Sequence, residues 1–393
     1  MQRKLDIICH AFPAWKGNYT KSTVELMKEL AVNNRVLYVD YAYTLKDIIL
    51  KKGKSENMSV KQMFGFKNPC QEVFLKNGAS LHVLTLPPII PTNWINNQKI
   101  YHFLQSINGL LIKSRILKFK KRLGMKQPIL INAFNPTLGN YLIKGLNQKA
   151  NIYYCYDNIS AANWASKHGE SAEERFMKKA EAVVFSSEAL YNSKIGFTNK
   201  AYVINNGVDL SVFENLESTK ANELKFDEIN IAYIGSIDDR IDYQLMVKTI
   251  THFKNWKFHF IGRIMTSDHE TLNQFNNVIF YGALEAEKLP ALLKKCHAGI
   301  IPFLKNEFTR NIYPMKANEY LAMGLPVIMT DFAEIKDLKS TVSVCDLKNF
   351  IPTLEKEVIS DTPEKRLIRE SVAQKNSWKN KAKEFEQILS FYA

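Results

Sequence analysis

Residues 231–282 read IAYIGSIDDRIDYQLMVKTITHFKNWKFHFIGRIMTSDHETLNQFNNVIFYG. Three apolar runs in this stretch, 231–235, 258–262 and 278–282, each end in glycine, and 298–303 and 326–330 continue the series. Helical patterns fall between them at about 242–254, 285–296 and 314–323. Continuous apolar strands alternating with amphipathic helices predict a parallel sheet covered on both faces. The first half of the chain repeats the scheme, with strands expected at 5–9, 36–40, 81–86, 129–133, 152–156, 182–186 and 202–205. Its helices are expected near 20–33, 99–123, 137–147, 170–180 and 187–195. The reading is therefore α/β, two doubly wound Rossmann-like domains whose ligands lie beyond the carboxyl ends of the strands. Residues 51–80 show no clear period and are read as a loop or lid, and a turn-forming cluster at 205–209 (NNGVD) is the expected hinge.

The most informative helix lies in 309–330, TRNIYPMKANEYLAMGLPVIMT. Pro314 suits the first helical turn, Gly324 the closing left-handed residue, and Pro326 cannot extend the helix. Lys316 is the odd residue, because a cation in the first turn faces the positive end of the macrodipole. It becomes favourable when a phosphate docks on the free N–H groups there. Glu319, three residues on, shares its face and can accept hydrogen bonds from sugar hydroxyls. A plain surface Lys–Glu pair is the competing reading.

Composition narrows the class. The 393 residues exceed the usual single domain, and 46% hydrophobic with 23% charged is that of a globular protein. The basic start MQRKLDIICHAF has too short an apolar run for a signal peptide, and no apolar run is long enough to span a bilayer. Cys9, Cys70, Cys155, Cys296 and Cys345 are scattered, which fits a reducing compartment without structural zinc or disulfides. The expected location is cytoplasmic. Net charge is +14, yet residues 1–213 hold 29 Lys/Arg against 14 Asp/Glu, while 214–393 hold 24 against 25. Residues 101–150 carry nine Lys/Arg and no acid. Such asymmetry predicts an anionic partner for the first half.

The two doubly wound halves, NNGVD at the hinge and YPMKANEYLAMGLPV near the end resemble the GT-B glycosyltransferases. More narrowly, they resemble the glycosyl transferases group 1 superfamily and its bacterial exopolysaccharide branch, which includes the xanthan-type glucuronosyltransferases. The resemblance implies an acceptor-binding, membrane-facing domain over 1–208 and a nucleotide-sugar-binding domain over 209–375. A C-terminal helix over 376–393 would then return to the first domain. It implies that Lys316 meets the donor diphosphate, that Glu319 binds ribose hydroxyls, and that the backbone from Tyr313 through Met315 lines the pocket. Gly235 takes the place of the family's phosphate-facing glycine, and Arg240 that of the basic residue in the same loop, with Arg263 a weaker candidate. Arg240 also sits among acids in DDRID, so an ion pair with Asp238, Asp239 or Asp242 is its ordinary alternative. Many retaining members carry two glutamates eight positions apart, whereas here Asn311 stands at the first position and Glu319 at the second. That departure leaves an inverting mechanism open.

An inverting transfer needs a general base for the acceptor hydroxyl and cations at the departing diphosphate. Asp157, at the mouth of the strand ending IYYCY, fits the base, with a turn-capping role as its alternative. His10, in CHAFPAWKGNY, is the second candidate, and Phe12, Trp15 and Tyr19 of that loop could stack on a sugar or touch lipid. No cofactor and no metal are expected; the co-substrate is a nucleotide sugar, UDP-linked. The stretch 99–124, KIYHFLQSINGLLIKSRILKFKKRLG, mixes apolar and basic residues as a helix on an anionic bilayer surface does. The expected enzyme is a peripheral protein of the inner membrane face that transfers a hexosyl or glycuronosyl group to a lipid-linked saccharide or growing polysaccharide. No nucleic acid is expected, for lack of a recognisable motif or aromatic platform. The rivals are an epimerase, a pyruvyl transferase, or a non-enzymatic basic protein binding membrane or nucleic acid.

Overall fold

The computed structural model describes residues 4–17, 20–50, 59–161, 165, 167–213 and 228–393. Tyr19 of the aromatic loop and residues 51–58 of the expected lid lie outside that set. The chain divides into two compact units, one of residues 1–17, 21–205 and 381–393, the other of 18–20 and 206–380.

The first unit holds β1 (Asp6–Ala11), β2 (Arg35–Val39), β3 (Cys70–Phe74), β4 (Ser80–Leu84), β5 (Ile129–Ala133), β6 (Ala150–Cys155), β7 (Ala182–Phe185) and β8 (Ala201–Val203). They form one sheet in the order β3-β4-β2-β1-β5-β6-β7-β8, with only β3 antiparallel to its neighbour. The second unit holds β9 (Asn230–Ile234), β10 (Lys257–Ile261), β11 (Val278–Gly282), β12 (Ala298–Ile301), β13 (Val327–Thr330) and β14 (Val342–Cys345). These run parallel in the order β11-β10-β9-β12-β13-β14. β5, β6 and β7 are buried along their whole length, as strands covered on both faces must be. The order reverses between β1 and β5 in one sheet and between β9 and β12 in the other, and crevices for ligands open at such points.

Four segments depart from the sequence reading. The part of 51–80 that is described is not a loop: it contains β3, joined to β4 by a turn at Asn77-Gly78, with Gly78 at φ +81°. Leu75 N–H donates to the Ala79 carbonyl at 2.8 Å to close that hairpin. Of the helix expected at 137–147 only Pro136–Gly139 forms, and the chain turns beyond it, with Gly145 (φ +98°) and Asn147 (φ +51°) in left-handed conformations. β14 and the helix Phe350–Ile359 were not foreseen, the latter carrying a proline in its first turn, where the missing N–H costs nothing.

Two helices close the chain, Pro363–Lys375 and Trp378–Ser390. Trp378 N–H donates to Val208 at 3.0 Å within the second unit. Residues of the last helix from 381 onward group with the first unit, where Asn34 Nδ2 donates to Glu386 at 2.6 Å and Phe385 meets Tyr154 edge-on. Among the described residues, no helix is long and apolar enough to cross a membrane.

Candidate active site

In the second unit the site is built at the carboxyl ends of β9 and β12. Gly235 follows β9 at φ +112°, a region other residues rarely adopt. Its N–H donates to Ile261 at 2.9 Å, and a Cβ on neighbouring Gly262 would meet the Gly235 carbonyl oxygen at 1.7 Å. The two glycines let the β9 and β10 termini approach each other.

The helix Met315–Ala322 brings its Lys316 side chain up to Gly235. Pro314 is its N-cap and not a first-turn residue, no side chain caps it, and no acid stands in its first turn. Its N-terminal N–H groups therefore face outward without an anionic partner from the helix itself. Its far end is fixed: Gly324 (φ +69°) N–H donates to Leu321, and Leu325 N–H to Tyr320. Tyr320 locks the helix to the sheet, its hydroxyl accepting from Ile234 N–H at 2.8 Å and donating to the Ala232 carbonyl at 3.1 Å. Gly299 on β12 is required beneath it, since a Cβ there would lie 2.4 Å from the Tyr320 ring.

Lys316 folds over this floor. Its Nζ lies 4.0 Å from the centroid of Tyr233 and 4.6 Å from that of Phe303, and a Cβ on Gly235 would approach it to 3.0 Å. The ammonium is shielded from solvent and has no hydrogen-bond partner, and it lies against the faces of the two rings. Burial, and then the Arg240 guanidinium nearby, hold its pKa well below that of an ordinary lysine, while Asp238 and Glu319 act in the opposite sense. Arg240 lies 5.1 Å from the same Phe303 ring and is gripped by Asp238 through Nε at 2.8 Å and Nη2 at 2.6 Å. Glu319 is partly buried on the Lys316 face of the helix.

The other expected donor residues sit differently. Asn311 ends a short turn, and its Nδ2 donates to the Glu307 carbonyl at 2.8 Å. Tyr313 turns its side chain inward, donating to Asp337 at 2.7 Å, and burial with that carboxylate raises its pKa well above normal. Its carbonyl accepts from Asn206 Nδ2 at 3.1 Å, and Asn318 donates back to the Asn206 carbonyl at 3.0 Å, so the NNGVD turn anchors the helix start. Met315 opens the helix, partly buried, and Arg263 is exposed, its carbonyl accepting from Ile237 N–H at 2.9 Å.

In the first unit, Asp157 lies two residues beyond β6, half-buried, with Oδ1 accepting from Asn158 N–H at 2.8 Å. Glu173 steadies the end of β6, accepting from Tyr153 Oη at 2.7 Å and pairing with Lys194. His10 sits on β1 fully buried, with Asn132 and Asn135 side chains 3.3 and 3.4 Å from its ring nitrogens. Burial pushes its pKa down to about 3, so the ring is neutral at any working pH. Between them Phe134 holds φ +54°, an uncommon angle for an aromatic residue, and its ring meets Phe12 and Tyr156. Trp15 is fixed by its N–H to Asp40 at 2.7 Å and packs edge-on against Tyr38.

Tyr233, Phe303 and Tyr320 were not singled out from the sequence, and Asp238 was named there only as a possible ion-pair partner of Arg240. Three of them read there simply as apolar filling of strands and a helix, and a pattern of hydrophobicity carries no sign that a ring faces a cation.

Comparison with known proteins agrees with this geometry. Residues 228–351 match the family model Glycosyl transferases group 1. The chain is 26% identical over 171 residues to a Bacillus subtilis protein described as "Putative teichuronic acid biosynthesis glycosyltransferase TuaH", covering 41% of this chain and 43% of that one. It thus spans less than half the length of that relative. It is 24% identical over 283 residues, 70% of this chain and 72% of the other, to an uncharacterized 41.2 kDa protein in the cps region of Klebsiella pneumoniae. Neither description mentions xanthan. In fold, the chain superimposes on sucrose-phosphate synthase from Thermosynechococcus elongatus with TM-score 0.70 at 14% identity, over 99% and 98% of the two chains. Anabaena HepE, solved in complex with UDP and glucose, gives 0.62 at 10% over 98% and 99%. Residues 228–351 are thus similar to the group 1 glycosyl transferases, and the two-sheet architecture is that of the GT-B fold.

Proposed function

We propose that the protein transfers a hexosyl or glycuronosyl group from a UDP-linked donor to a lipid-linked or growing cell-surface polysaccharide. The observation that carries this reading is the Lys316 ammonium, shielded and without a hydrogen-bond partner, above Gly235 at an uncapped helix start. An unpaired buried cation is costly, and a diphosphate is the partner that a bare helix N-terminus and a glycine backbone also select. Lys316 and the first-turn N–H groups hold the diphosphate, Arg240 swings from Asp238 to share its charge, and Glu319 takes the ribose hydroxyls. With that many fixed positive groups, the leaving diphosphate is neutralised by protein alone, without a divalent cation.

On the acceptor side Asp157 removes the hydroxyl proton. The resulting oxygen attacks the anomeric carbon, and the bond from that carbon to the diphosphate oxygen breaks. Asp157 is preferred to His10 because it reaches the rim of its strand end, while His10 is enclosed and held between two asparagines. The aromatic group of Phe12, Phe134 and Tyr156 offers apolar faces for acceptor sugar rings. The basic first half supports action at an anionic membrane face, the inner leaflet, where lipid-linked acceptors lie. The teichuronic acid and cps-region descriptions of the two relatives favour an acidic or capsular polysaccharide as the product.

Calorimetry with UDP, UDP-glucose and UDP-glucuronic acid tests the donor site. Binding of a UDP-sugar that is lost in Lys316→Ala is expected. Equal binding by wild type and variant would remove Lys316 from the site.

A further inference from the structure

The helix Gln98–Arg122 has two apolar faces instead of one. Tyr101, Ile112, Ile116 and Phe119 are buried in the first unit. On the opposite side Phe103, Leu110 and Leu117, each seven residues apart, are 65%, 64% and 39% exposed. A spacing of seven is close to two turns, so these three share one line along the helix. The charge around that line is of one sign: the helix carries no Asp or Glu, and Lys99, Lys113, Lys118 and Lys121 border the exposed stripe. A solvated helix face would show the reverse, polar residues with mixed charge.

A second element continues the surface. The turn at residues 64–69 exposes Phe64 and Phe66, the latter 82%. Arg115 fixes the start of that turn, its Nη2 donating to the Met63 carbonyl at 2.9 Å. Turn and helix enclose an open cavity of about 590 Å³ whose helical wall is Arg115, Lys118, Phe119 and Arg122. Three cations at spacings of three and four on one wall, with aromatic rings at the rim, match phosphate head groups above acyl chains.

We infer that this face, the outer stripe of Gln98–Arg122 together with Phe64 and Phe66, is the docking surface for an anionic bilayer. Phe103, Leu110, Leu117 and Phe66 enter the head-group boundary, and the cavity cations hold lipid phosphates. The absence of any acid along 25 residues commits the surface to an anionic partner, and its apolar stripe to one with a hydrocarbon interior. This rests on the proposed action at an anionic membrane face and specifies which face docks.

Flotation of the full-length protein with phosphatidylcholine vesicles, with and without about one third phosphatidylglycerol, is the test. Binding is expected only with the anionic lipid, weakening as salt is added. Lys118→Glu with Lys121→Glu is expected to lower vesicle affinity about tenfold or more. Phe103→Ser with Leu110→Ser lowers it comparably, and both pairs leave calorimetric UDP-sugar binding intact. Phe66→Trp supplies a fluorescent reporter whose emission shifts to the blue on anionic vesicles and not with free phosphate. Failure of the wild type to float, flotation by both double variants equal to that of the wild type, or an unshifted emission from the Phe66→Trp reporter overturns the assignment. So does self-association without lipid that is lost in Phe103→Ser with Leu110→Ser, which gives the stripe to a second copy. Flotation without UDP-sugar binding leaves the docking face standing and removes the donor reading instead.

Discussion

The reversal points of the two sheets share a topology and differ in chemistry. At the β9/β12 edge the strand ends in glycine, the Lys316 ammonium is shielded without a hydrogen-bond partner over ring faces, and no side chain caps the helix start. At the β1/β5 edge the polar groups already have partners: His10 lies between Asn132 and Asn135, and Asn132 Oδ1 accepts from Asn135 N–H at 2.9 Å. The residue carrying backbone strain there is an aromatic, Phe134, among other rings. Under the proposed function, one edge takes a ligand that brings negative charge. The other then takes the acceptor ring, with Asp157 as the proposed base. Doubly wound sheets thus fix where a ligand sits, while the residues just beyond the strands decide its charge.

The sharpest test separates the two edges by function. Asp157→Asn keeps the size of the side chain and its Oδ1 acceptor for Asn158 while removing the proposed base. Transfer is expected to fall roughly 10²- to 10⁴-fold, the usual worth of general base catalysis, with UDP-sugar affinity unchanged by calorimetry. A matching loss of donor binding would show that the chemical division between the edges is wrong.

Lys316→Met is the counterpart on the donor side. Loss of a shielded cation at a diphosphate is expected to cost about 10²- to 10³-fold in kcat/KM. The same change removes an uncompensated buried charge and keeps apolar volume on Tyr233 and Phe303, so the melting temperature should hold or rise. Lost activity with lost stability would mean that Lys316 serves the fold. The pKa gives an independent reading. Free Lys316 titrates well below 10.5, and a bound diphosphate favours its charged form. Above the free-state pKa, donor binding must therefore take up a proton, so affinity falls as pH rises, by at most about tenfold per unit for one proton. Calorimetry in buffers of different ionisation enthalpy would detect the uptake, and a pH-independent affinity would contradict it.

Gly235→Ala carries a smaller effect at the same edge. Alanine at φ +112° is strained by about 1–3 kcal/mol, and its Cβ would press the Lys316 ammonium at 3.0 Å. A lowered melting temperature and roughly tenfold weaker donor binding are expected, about the equivalent of 1.4 kcal/mol. Unchanged donor affinity would show that the glycine serves only the close approach of β10.

Much of this contrast was legible in the residues. Glycines after apolar runs marked the strand ends, and Lys316 in a first turn pointed to an anion, with a surface pair to Glu319 as the competing reading. What stayed hidden depends on long-range contacts. Tyr233 and Phe303 lie far apart in sequence and become one floor only when β9 and β12 become neighbours. His10 looked as available as any histidine at a strand end, and only the pairing of β1 with β5 encloses it. β3 was missed because its exposed residues blur the alternation, although Asn77-Gly78 signals a hairpin turn. The second apolar face of Gln98–Arg122 was masked in sequence, since two opposed stripes cancel the one-sided pattern by which amphipathic helices are recognised.

The smallest expected effect concerns Asp238, which makes the donor edge less one-sided than its lysine suggests. Asp238 grips Arg240 through two hydrogen bonds, so one of the two cations above Phe303 already has an anion of its own. If the donor diphosphate takes Arg240 from Asp238, binding must break that pair. The pair is only partly buried, with side-chain exposures of 25% for Arg240 and 16% for Asp238, so its net worth is about 0.5–1 kcal/mol. Asp238→Asn should then tighten UDP-sugar binding about two- to fivefold, with the gain shrinking at high salt. Weaker binding in the same variant would mean that Asp238 aims Arg240 at the diphosphate instead of competing with it. An unchanged affinity would leave Arg240 as the loop ion pair that DDRID first suggested, and Lys316 with the helix start as the whole of the anion site.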